Sequence, residues 1–542
     1  MIGVVASIDE AGAAAEFFEL FKTPWEIAIP GRKYRALLAA TEPTEHFDAD
    51  VVLVYGSGRC LIDDQAGVSV TSLHEVVEVD WESSPLPLFA GVARFEGRKD
   101  NGVLTTLAGK VDYRHCSNGR TTWRIGYNLF AEVSYLLTRG QPAKFAAIPT
   151  LEFHIALLRH LLVRSGVSFV EIPPRPDKYD FICCLTHDID FFGIRRHRWD
   201  RTLAGFAYRA TLGTLLQLIQ RRRTMREAMR NWAAALSLPL VFAGVRRDFW
   251  QPFEDYAEAD GHRGSTYFLA PFKNSPGHAP DGTVNPVRAL PYDVTDIRQE
   301  LGNARAERTE FAVHGVDAWH DVESARAERA QLMQTTGVQP IGVRMHWLYS
   351  SPDSTRCVEA AGFDYDSTCG YNDAVGFRAG TPQAFRPLGR STLMELPLSI
   401  MDSAMFYPGR MFLSPKRALN MCRGIIAAAR RFGGSVVINW HDRSLAPERL
   451  WGRPYRELLS EVEKGGPVWF ATGGEAVDWF RWRRSIHFRA DSGSTGVVVE
   501  SSARPAGQPA GRIVIHRAQT ARYSVEEKQL PGGQAIYSHL YS

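Results

Sequence analysis

Two carboxylates, Asp188 and Asp190, are separated by one residue in the polar segment 186–190, which follows the mostly apolar residues 181–185. Side chains alternate along a strand, so the two carboxylates point to the same side if this segment is extended. Adjacent carboxylates repel each other unless a cation or a shared proton relieves them. The pair therefore predicts a metal or acid/base site at the end of this segment.

Other apolar segments of the chain also end in polar side chains, namely His314, Arg344, His346 and His441. Carboxylate and imidazole together are a normal ligand set for zinc or a similar divalent ion, which polarises a carbonyl and activates a water. A second carboxylate can take the proton of that water, an arginine can hold this carboxylate ionised, and an imidazole can protonate a leaving amine. One histidine at a strand end is explained as well by a bond to a loop carbonyl, but the whole set favours a shared site for hydrolysis of an amide or ester.

The segments that carry these residues alternate with helical patterns. After the acidic segment, strands are predicted at 265–269, 310–314, 341–346, 363–366, 393–397, 435–441 and 468–470. Helices are predicted at 293–308, 326–334, 355–361, 415–432 and 455–464. This alternation is typical of a mainly parallel sheet with crossover helices, and the strand count is compatible with a complete or distorted (β/α) barrel. In such a barrel the strand ends meet at one rim, where the chemistry takes place.

The rest of the chain divides at changes of pattern. A proline-rich break at 173–176 separates an N-terminal α/β or α+β domain, residues 1–175, from the barrel at 176–485. We assign the N-terminal domain no role. From 486 to 542 the pattern predicts a small β-rich module, in which 497–500 and 512–516 form a hairpin.

An arginine-rich helical insertion is predicted at 195–247. It holds twelve arginines against two acids, Asp200 and Glu227. Its apolar stripe is formed by Leu203, Phe206, Leu212, Leu215, Leu216 and Ile219. The simplest interpretation is a surface insertion with a solvated basic face, and the alternative is contact with an anionic membrane surface or a polyanionic, lipid-linked glycan. No interleaved aromatic residues support a nucleic-acid partner, and the net charge of +3 favours neither outcome.

The composition is that of a globular chain, with 45% hydrophobic and 23% charged residues among 542. Its seven cysteines are scattered and form no C-x-x-C pair, which predicts free thiols in a reducing cytosol. The start of the chain lacks a basic signal-peptide region, and no apolar stretch approaches 18 residues. We therefore expect a cytoplasmic protein, peripheral to the inner membrane if the insertion binds lipid.

The segment L-T-H-D-I-D at 185–190 resembles the first motif, T-F-D-D-G, of the NodB-type polysaccharide deacetylases. Segments similar to the later motifs follow in the family's order at 313–320, 342–347, 366–368 and 437–441. The resemblance covers about 176–485. It implies a distorted (β/α) barrel with fewer than eight strands and a metal-dependent removal of N- or O-acetyl groups from a carbohydrate substrate.

Carried over one residue at a time, the resemblance implies that Asp188 is the general base, that Arg344 braces it and that His441 is the general acid. It implies metal ligands at Asp190 and His314. In the family the metal aspartate directly follows the base, whereas Ile189 intervenes here, so the roles of the two aspartates can also be exchanged.

The third metal ligand departs from the family pattern. The family's second histidine follows the first by four residues, and Ala318 stands there in this chain. His320, six residues on, is our predicted ligand if 315–319 is a loop, and His346 is the substitute. A site with only two protein ligands, or none, is the third alternative.

Substrate contacts are predicted beside these motifs. Trp347 and Trp440 offer aromatic faces for a sugar, although packing inside the barrel explains them equally well. His346 belongs to the same group if it is not a ligand. Asp442 is expected to orient the His441 imidazole.

We therefore predict a hydrolase that removes an acetyl group from an N-acetylated sugar or polysaccharide precursor. The expected cofactor is a divalent metal, Zn²⁺ first and Co²⁺, Mn²⁺ or Ni²⁺ as alternatives. Three other functions remain open: hydrolysis of a non-sugar amide on the same barrel, glycan binding without catalysis, and a membrane-associated role in envelope polysaccharide assembly that depends on the arginine-rich insertion.

Overall fold

A computed structural model gives the fold of most of the chain. It describes residues 1–40, 47–73, 76–97, 102–117, 119–221, 223–304, 308–337, 339, 342–490, 496–519, 522–530 and 534–537. Among these residues, no helix combines the length and the apolar character needed to cross a membrane.

Residues 1–175 form two six-stranded sheets and a short strand that joins a third sheet, within the part that is described. The strands are β1 (Ile2–Val5), β2 (Trp25–Ile27), β3 (Lys33–Ala39), β4 (Asp48–Tyr55), β5 (Ser69–Leu73), β6 (Val77–Trp81), β7 (Ser84–Leu88), β8 (Val92–Glu96), β9 (Leu104–Thr106), β10 (Gly109–Lys110), β11 (Asp112–Ser117), β12 (Arg120–Ile125) and β13 (Phe169–Glu171). The helices are α1 (Ala11–Phe21), α2 (Leu61–Ala66), α3 (Leu129–Thr138) and α4 (Thr150–Arg164). The first sheet, in the order β11-β12-β4-β3-β1-β2, is mostly parallel, and the second, β5-β8-β10-β9-β6-β7, is antiparallel.

The next strands form one curled sheet. They are β14 (Phe181–Ile189), β15 (Ser265–Leu269), β16 (Thr309–Gly315), β17 (Gly342–Met345), β18 (Tyr365–Asp366), β19 (Met394–Glu395), β20 (Leu398–Met401), β21 (Ser435–Asn439) and β22 (Val468–Phe470). The order is β19-β18-β17-β16-β15-β14-β21-β20, every pairing is parallel, and β22 pairs with the first residues of β14.

The two end strands, β19 and β20, are joined by only Leu396 and Pro397. Consecutive Cα atoms are about 3.8 Å apart, so the ends of the sheet lie within about 11 Å of each other. The sheet must therefore curl into an incomplete barrel, as the alternating pattern predicts. All nine residues of β14 are buried, which agrees with its apolar sequence and central position.

Helices connect these strands. They are α5 (Arg201–Tyr208), α6 (Thr214–Ile219), α7 (Met225–Phe242), α8 (Pro252–Asp260), α9 (Arg298–Ala304), α10 (Val322–Thr336), α11 (Ser354–Ala360), α12 (Asp402–Phe406), α13 (Pro415–Phe432), α14 (Gly452–Glu463) and α15 (Gly473–Arg484). Proline at the first position of α13 and Gly433 after its end, at φ +85°, are normal helix boundaries, and the prediction of 415–432 is confirmed.

One predicted strand is two strands in the structure. The segment 393–397 divides between β19 and β20 because Pro397 has no N–H to donate to a sheet. The predicted helix at 293–308 also begins differently, since Val294–Ile297 forms a 3₁₀ turn and α9 follows it.

The C-terminal strands are β23 (His487–Ala490), β24 (Val497–Glu500), β25 (Arg512–Gln519), β26 (Arg522–Gln529) and β27 (Gln534–Tyr537). The predicted hairpin of β24 and β25 is wrong, because β24 pairs with β23 and β27 while β25 pairs with β26 and β13. Glu171 of β13 explains this choice. Its buried carboxylate accepts a hydrogen bond from His516 Nε2 at 2.9 Å, which holds β25 against β13, and another from Arg159 Nη2 of α4 at 2.8 Å.

Candidate functional site

The end of β14 presents its side chains in alternation. Asp188 and Asp190 both line one cavity of about 330 Å³ at the rim of the barrel. His187, directly before Asp188 in sequence, points away, since its Nε2 lies 2.9 Å from Asp260 Oδ2 and its Nδ1 lies 2.9 Å from the backbone oxygen of Trp440. The two carboxylates therefore share one side of the strand, as their spacing predicts.

Asp188 is held by two donors. Arg344 Nη1 donates to Oδ1 at 2.9 Å, and Asn439 Nδ2 donates to Oδ2 at 2.7 Å. The Arg344 guanidinium is itself fixed by the Thr186 hydroxyl at 2.8 Å and the Ser367 backbone oxygen at 3.1 Å. Burial raises the pKa of Asp188, but the charge of Arg344, with smaller contributions from His314 and His441, outweighs burial and holds the pKa below its usual value. The carboxylate is therefore ionised and immobile.

Asp190, His314 and His346 form a separate cluster. Asp190 Oδ1 lies 3.3 Å from His314 Nε2 and 3.5 Å from His346 Nδ1, and the two ring nitrogens lie 2.9 Å apart. His314 Nδ1 faces the backbone oxygen of Arg344 at 3.1 Å, so the proton belongs on Nδ1 and the lone pair on Nε2. Asp190 Oδ1 is buried and has no hydrogen-bond donor among the described residues.

This cluster fits a divalent metal ion. Ligand atoms bound at ~2.0–2.1 Å in a tetrahedral zinc site are separated by ~3.3 Å, close to the spacings found here. Burial lowers the pKa of His346 to about 3, so its imidazole is neutral and able to bind a metal. The orphaned oxygen of Asp190 supplies the anionic ligand that such an ion requires.

His320 is not part of the cluster. It ends a turn after β16, its side chain is exposed, and its ring packs against Trp319 at 5.4 Å and against His278 at 4.1 Å. His346 stands in its place because β16 and β17 pair in parallel with His314 opposite Arg344. Two residues beyond Arg344 on the same strand end, the His346 ring reaches the His314 ring. The third position of the cluster, which we predicted for His320, is therefore occupied by His346.

His441 is paired with Asp402, at the start of α12. Asp402 Oδ1 lies 2.5 Å from His441 Nδ1, and Asp402 Oδ2 accepts the His441 backbone N–H at 2.8 Å. Burial lowers the pKa of His441, but the charge and the hydrogen bond of Asp402, together with the charges of Asp190 and Asp188, outweigh burial and raise the pKa to about 10. The imidazole is therefore protonated at neutral pH.

Asp442 does not orient His441, in contrast to the prediction. Its Oδ2 accepts the backbone N–H groups of Phe191 at 2.7 Å and Phe192 at 3.0 Å, and its Oδ1 accepts that of Arg443 at 2.8 Å. Asp442 thus fixes the loop after Asp190, although it also lines the cavity.

The two tryptophans predicted to contact substrate have different surroundings. Trp347 is half-buried and lines the cavity. Trp440 is only 1% exposed and packs against Tyr455 and Phe406, with ring centroids 5.0 and 6.0 Å away. Packing inside the barrel, the alternative interpretation, therefore accounts for Trp440.

Sequence reasoning missed several residues of the cavity and its support, namely Asp402, Asn439, Arg410, Arg443 and Arg449. Asn439 stands two residues before His441 and follows the same strand alternation, so it was accessible from the pattern. Asp402 follows β20, and β20 was not predicted because the predicted strand ends at the proline at 397.

No protein-family model matches the chain, and no curated protein matches it. Among solved structures, the chain is similar to a protein from Mycobacterium smegmatis assigned as a polysaccharide deacetylase, with 18% identity, a TM-score of 0.34, and coverage of 57% of this chain and 95% of the other. The chain is also similar to Puue allantoinase, with 13% identity, a TM-score of 0.33, and coverage of 56% of this chain and 92% of the other. For a probable polysaccharide deacetylase from Pseudomonas aeruginosa PAO1, the identity is 14%, the TM-score is 0.34, and the match covers 57% of this chain and 94% of the other. These identities and TM-scores are low, and the likeness establishes no activity for this chain.

Proposed function

We propose that this protein is a metal-dependent hydrolase that removes the acetyl group from an N-acetylated sugar or polysaccharide precursor. The observation that carries the proposal is the content of one cavity. The cluster of Asp190, His314 and His346 shares it with Asp188 and with His441. A metal-binding cluster, an ionised carboxylate and a protonated imidazole together are what amide hydrolysis needs.

A divalent ion, Zn²⁺ in the first place and Co²⁺, Mn²⁺ or Ni²⁺ as alternatives, would be held by the cluster and would supply Lewis-acid polarisation of the acyl carbonyl and acidify a water. Asp188 accepts the proton of the attacking water, and its two fixed donors, Arg344 and Asn439, hold it in place and ionised. His441 donates a proton to the leaving nitrogen, with Asp402 fixing its ring through Nδ1.

The aromatic walls of the cavity favour a sugar over a simple amide. Trp347, Phe191 and Trp451 line it together with the polar groups. Sugars present apolar faces that pack against aromatic rings, and their hydroxyl groups require polar neighbours of the kind that surround these rings. Hydrolysis of a non-sugar amide by the same groups is the alternative.

The test is release of acetate from N-acetylated sugars and glycans by the full chain loaded with zinc or cobalt. Asp188→Asn and His441→Ala should each abolish release. Asp353→Asn and His262→Ala are matched controls, since both residues are exposed, and should retain full activity.

Undiminished activity in the Asp188 and His441 variants would overturn the roles given to them. Release only from non-sugar amides would favour the alternative substrate. Glycan binding with no release from any substrate would favour a binding protein.

A second function is favoured by the surface of the arginine-rich insertion. Exposed apolar side chains recur at helical spacing along it, at Tyr208, Leu212, Leu215, Leu216 and Ile219 before the loop and at Met225, Met229, Leu236 and Leu240 on α7. The opposite sides are buried, through Phe206 and Ala210 and through Ala228, Ala234 and Val241. The predicted stripe is therefore split, with Phe206 inward and Leu212 to Ile219 outward. We name the outward residues the apolar face.

Arginines accompany the apolar face. Arg201, Arg221, Arg226 and Arg230 are exposed, and in the described part of the chain none lies within 4.0 Å of a carboxylate. A merely solvated helix face has no reason to expose so many large apolar side chains. Apolar side chains flanked by unpaired arginines match the surface of an anionic bilayer, where each arginine contributes about 1 kcal/mol. We propose that the apolar face attaches the protein to an anionic membrane surface, which for a cytoplasmic protein is the inner membrane.

Co-sedimentation with phosphatidylglycerol–phosphatidylcholine vesicles tests the attachment. The full chain should bind these vesicles and not pure phosphatidylcholine. Leu212→Glu and Leu236→Glu should each prevent binding, while Ile8→Glu, at an isolated residue that is 90% exposed, should not. Failure of the unmodified chain to bind would refute the attachment. A change of oligomeric state in the two variants without a change in vesicle binding would make the face a protein interface.

A further inference from the structure

Three arginines line the candidate catalytic cavity and have no role in the proposed chemistry. They are Arg410, Arg443 and Arg449. Within the described residues, no carboxylate oxygen lies within 4.0 Å of any of their guanidinium groups. Arg344 offers a contrast, because its guanidinium pairs with Asp188 at 2.9 Å. The positive charges of the three arginines are thus not neutralised by any carboxylate of the described residues.

The three side chains are held by neutral contacts. The Arg443 guanidinium carbon lies 3.3 Å from the ring centroid of Phe191, and the residue is only 9% exposed. Arg449 Nη2 donates to Tyr407 Oη at 2.9 Å, and Arg410 Nη1 donates to the Ser403 hydroxyl at 3.3 Å. The side chains are thus positioned without neutralisation, and most of their N–H groups keep no partner.

Two nearby acids, Asp442 and Glu448, form no ion pair with these arginines among the described residues. Asp442 accepts three backbone N–H groups, and Glu448 is buried and accepts from Trp250 Nε1 at 3.0 Å. A nearby tyrosine reports the resulting field. Burial raises the pKa of Tyr407, but the positive charges of Arg449, Arg443 and His441 together outweigh burial and hold the pKa below its usual value. This end of the cavity is electropositive.

A buried guanidinium without a counter-ion is costly, so such a group is expected where a ligand supplies the charge. The planar fork of arginine matches the oxygens of phosphate and carboxylate. Three guanidinium groups offer more N–H donors than the two oxygens of a carboxylate can accept. A phosphate monoester carries three terminal oxygens and up to two negative charges. The number of donors therefore favours phosphate.

We propose that the substrate carries a phosphate group, which Arg410, Arg443 and Arg449 bind in the same cavity as the acyl group that is removed. This proposal rests on the proposed function, because only that function identifies the second group in the cavity as an acyl group. A cavity of about 330 Å³ is at the small end of the range for ligand sites. The phosphate and the acyl group must then lie close together, as they do on one N-acetylated sugar phosphate.

The test is calorimetric binding of N-acetylglucosamine 1-phosphate, N-acetylglucosamine 6-phosphate and inorganic phosphate to the full chain. Arg443→Met, Arg449→Met and Arg410→Met should each weaken binding about 10- to 100-fold, the usual range for a charge-assisted contact. Arg453→Met is the matched control, because Arg453 is 82% exposed and pairs with Glu457, and it should bind as the unmodified chain does. Arg443 is buried, so melting temperatures are compared, and the half-buried Arg410 supplies a variant with less risk to folding.

A variant of the metal cluster distinguishes phosphate bound by the three arginines from phosphate bound by the metal. His346→Ala should change phosphate binding less than threefold, whereas a loss as large as that of the arginine variants would move the phosphate to the metal. An N-acetylated sugar carboxylate that binds more tightly than the phosphates would overturn the assignment to phosphate.

The two proposals fail in different ways. Absence of phosphate binding, together with acetate release from neutral sugars at equal kcat/KM in the unmodified chain and the arginine variants, would overturn the phosphate site and leave the hydrolase. Phosphate binding that depends on the three arginines, without hydrolysis of any substrate, would support the site and refute the hydrolase.

Discussion

Replacing His346 with alanine is expected to empty the candidate metal site, whereas the same change at His320 leaves it intact. His346 Nδ1 lies 2.9 Å from His314 Nε2 and 3.5 Å from Asp190 Oδ1. The His320 side chain is exposed and packs beside His278. The two variants have the same composition, so each is the control for the other.

The size of the effect follows from the ligand count. Zinc held by four protein ligands contributes about 10–16 kcal/mol, or roughly 3 kcal/mol for each ligand. At ~1.4 kcal/mol for each factor of ten, losing His346 should weaken metal binding about 100-fold. The loss should be similar for His314→Ala, because the cluster has no spare nitrogen among the described residues.

Metal content after dialysis against a weak chelator, followed by competition titration, measures this effect. The His346 variant should retain little zinc, and the His320 variant should retain as much as the unmodified chain. Melting temperatures without metal should be similar for all three proteins. If the His320 variant loses zinc and the His346 variant keeps it, our assignment of the cluster is refuted.

Three further outcomes are expected. Asp402→Asn removes the charge that raises the pKa of His441 to about 10, so the alkaline limb of the pH profile of kcat/KM, where the protonated acid is lost, should move to lower pH; an unmoved limb would contradict the pairing. Arg344→Lys breaks the two-point hold on Thr186 and Asp188, and kcat should fall about 10- to 100-fold at unchanged metal content; equal loss of metal would place the arginine in the cluster. Trp440→Phe should lower the melting temperature and leave KM unchanged, because the residue only packs; a raised KM would return it to the substrate site.

The sequence predicted the strand ends well because their signal is local. An apolar segment that ends in Asp188 or His441 is visible in a few residues, and strand alternation correctly puts Asp188 and Asp190 on one side. Parallel order then brings distant strand ends together without knowledge of any contact. The presence of a site at the rim therefore followed from the pattern.

The partners within the site were less accessible because they depend on register. His346 reaches His314 only because β16 and β17 pair at one particular offset, which no local pattern encodes. Asp402 meets His441 through the pairing of β20 with β21, and the break at Pro397 hid β20. The insertion shows the same limit, since helical spacing alone does not tell the inward Phe206 from the outward Leu212.

The hold on Asp188 has a consequence for how the chain reaches its folded state. Its two donors, Arg344 and Asn439, follow it by 156 and 251 residues. At about 5–20 residues per second, a ribosome needs roughly 13–50 s after Asp188 to make Asn439. Until then one edge of β14 lacks its partner β21, although β15 can already pair with the other edge, and an exposed strand edge invites aggregation. Loop closure over such separations is slow. We therefore expect β14 to be among the last strands to be secured during synthesis, and the yield of folded protein to depend on chaperones that shield it.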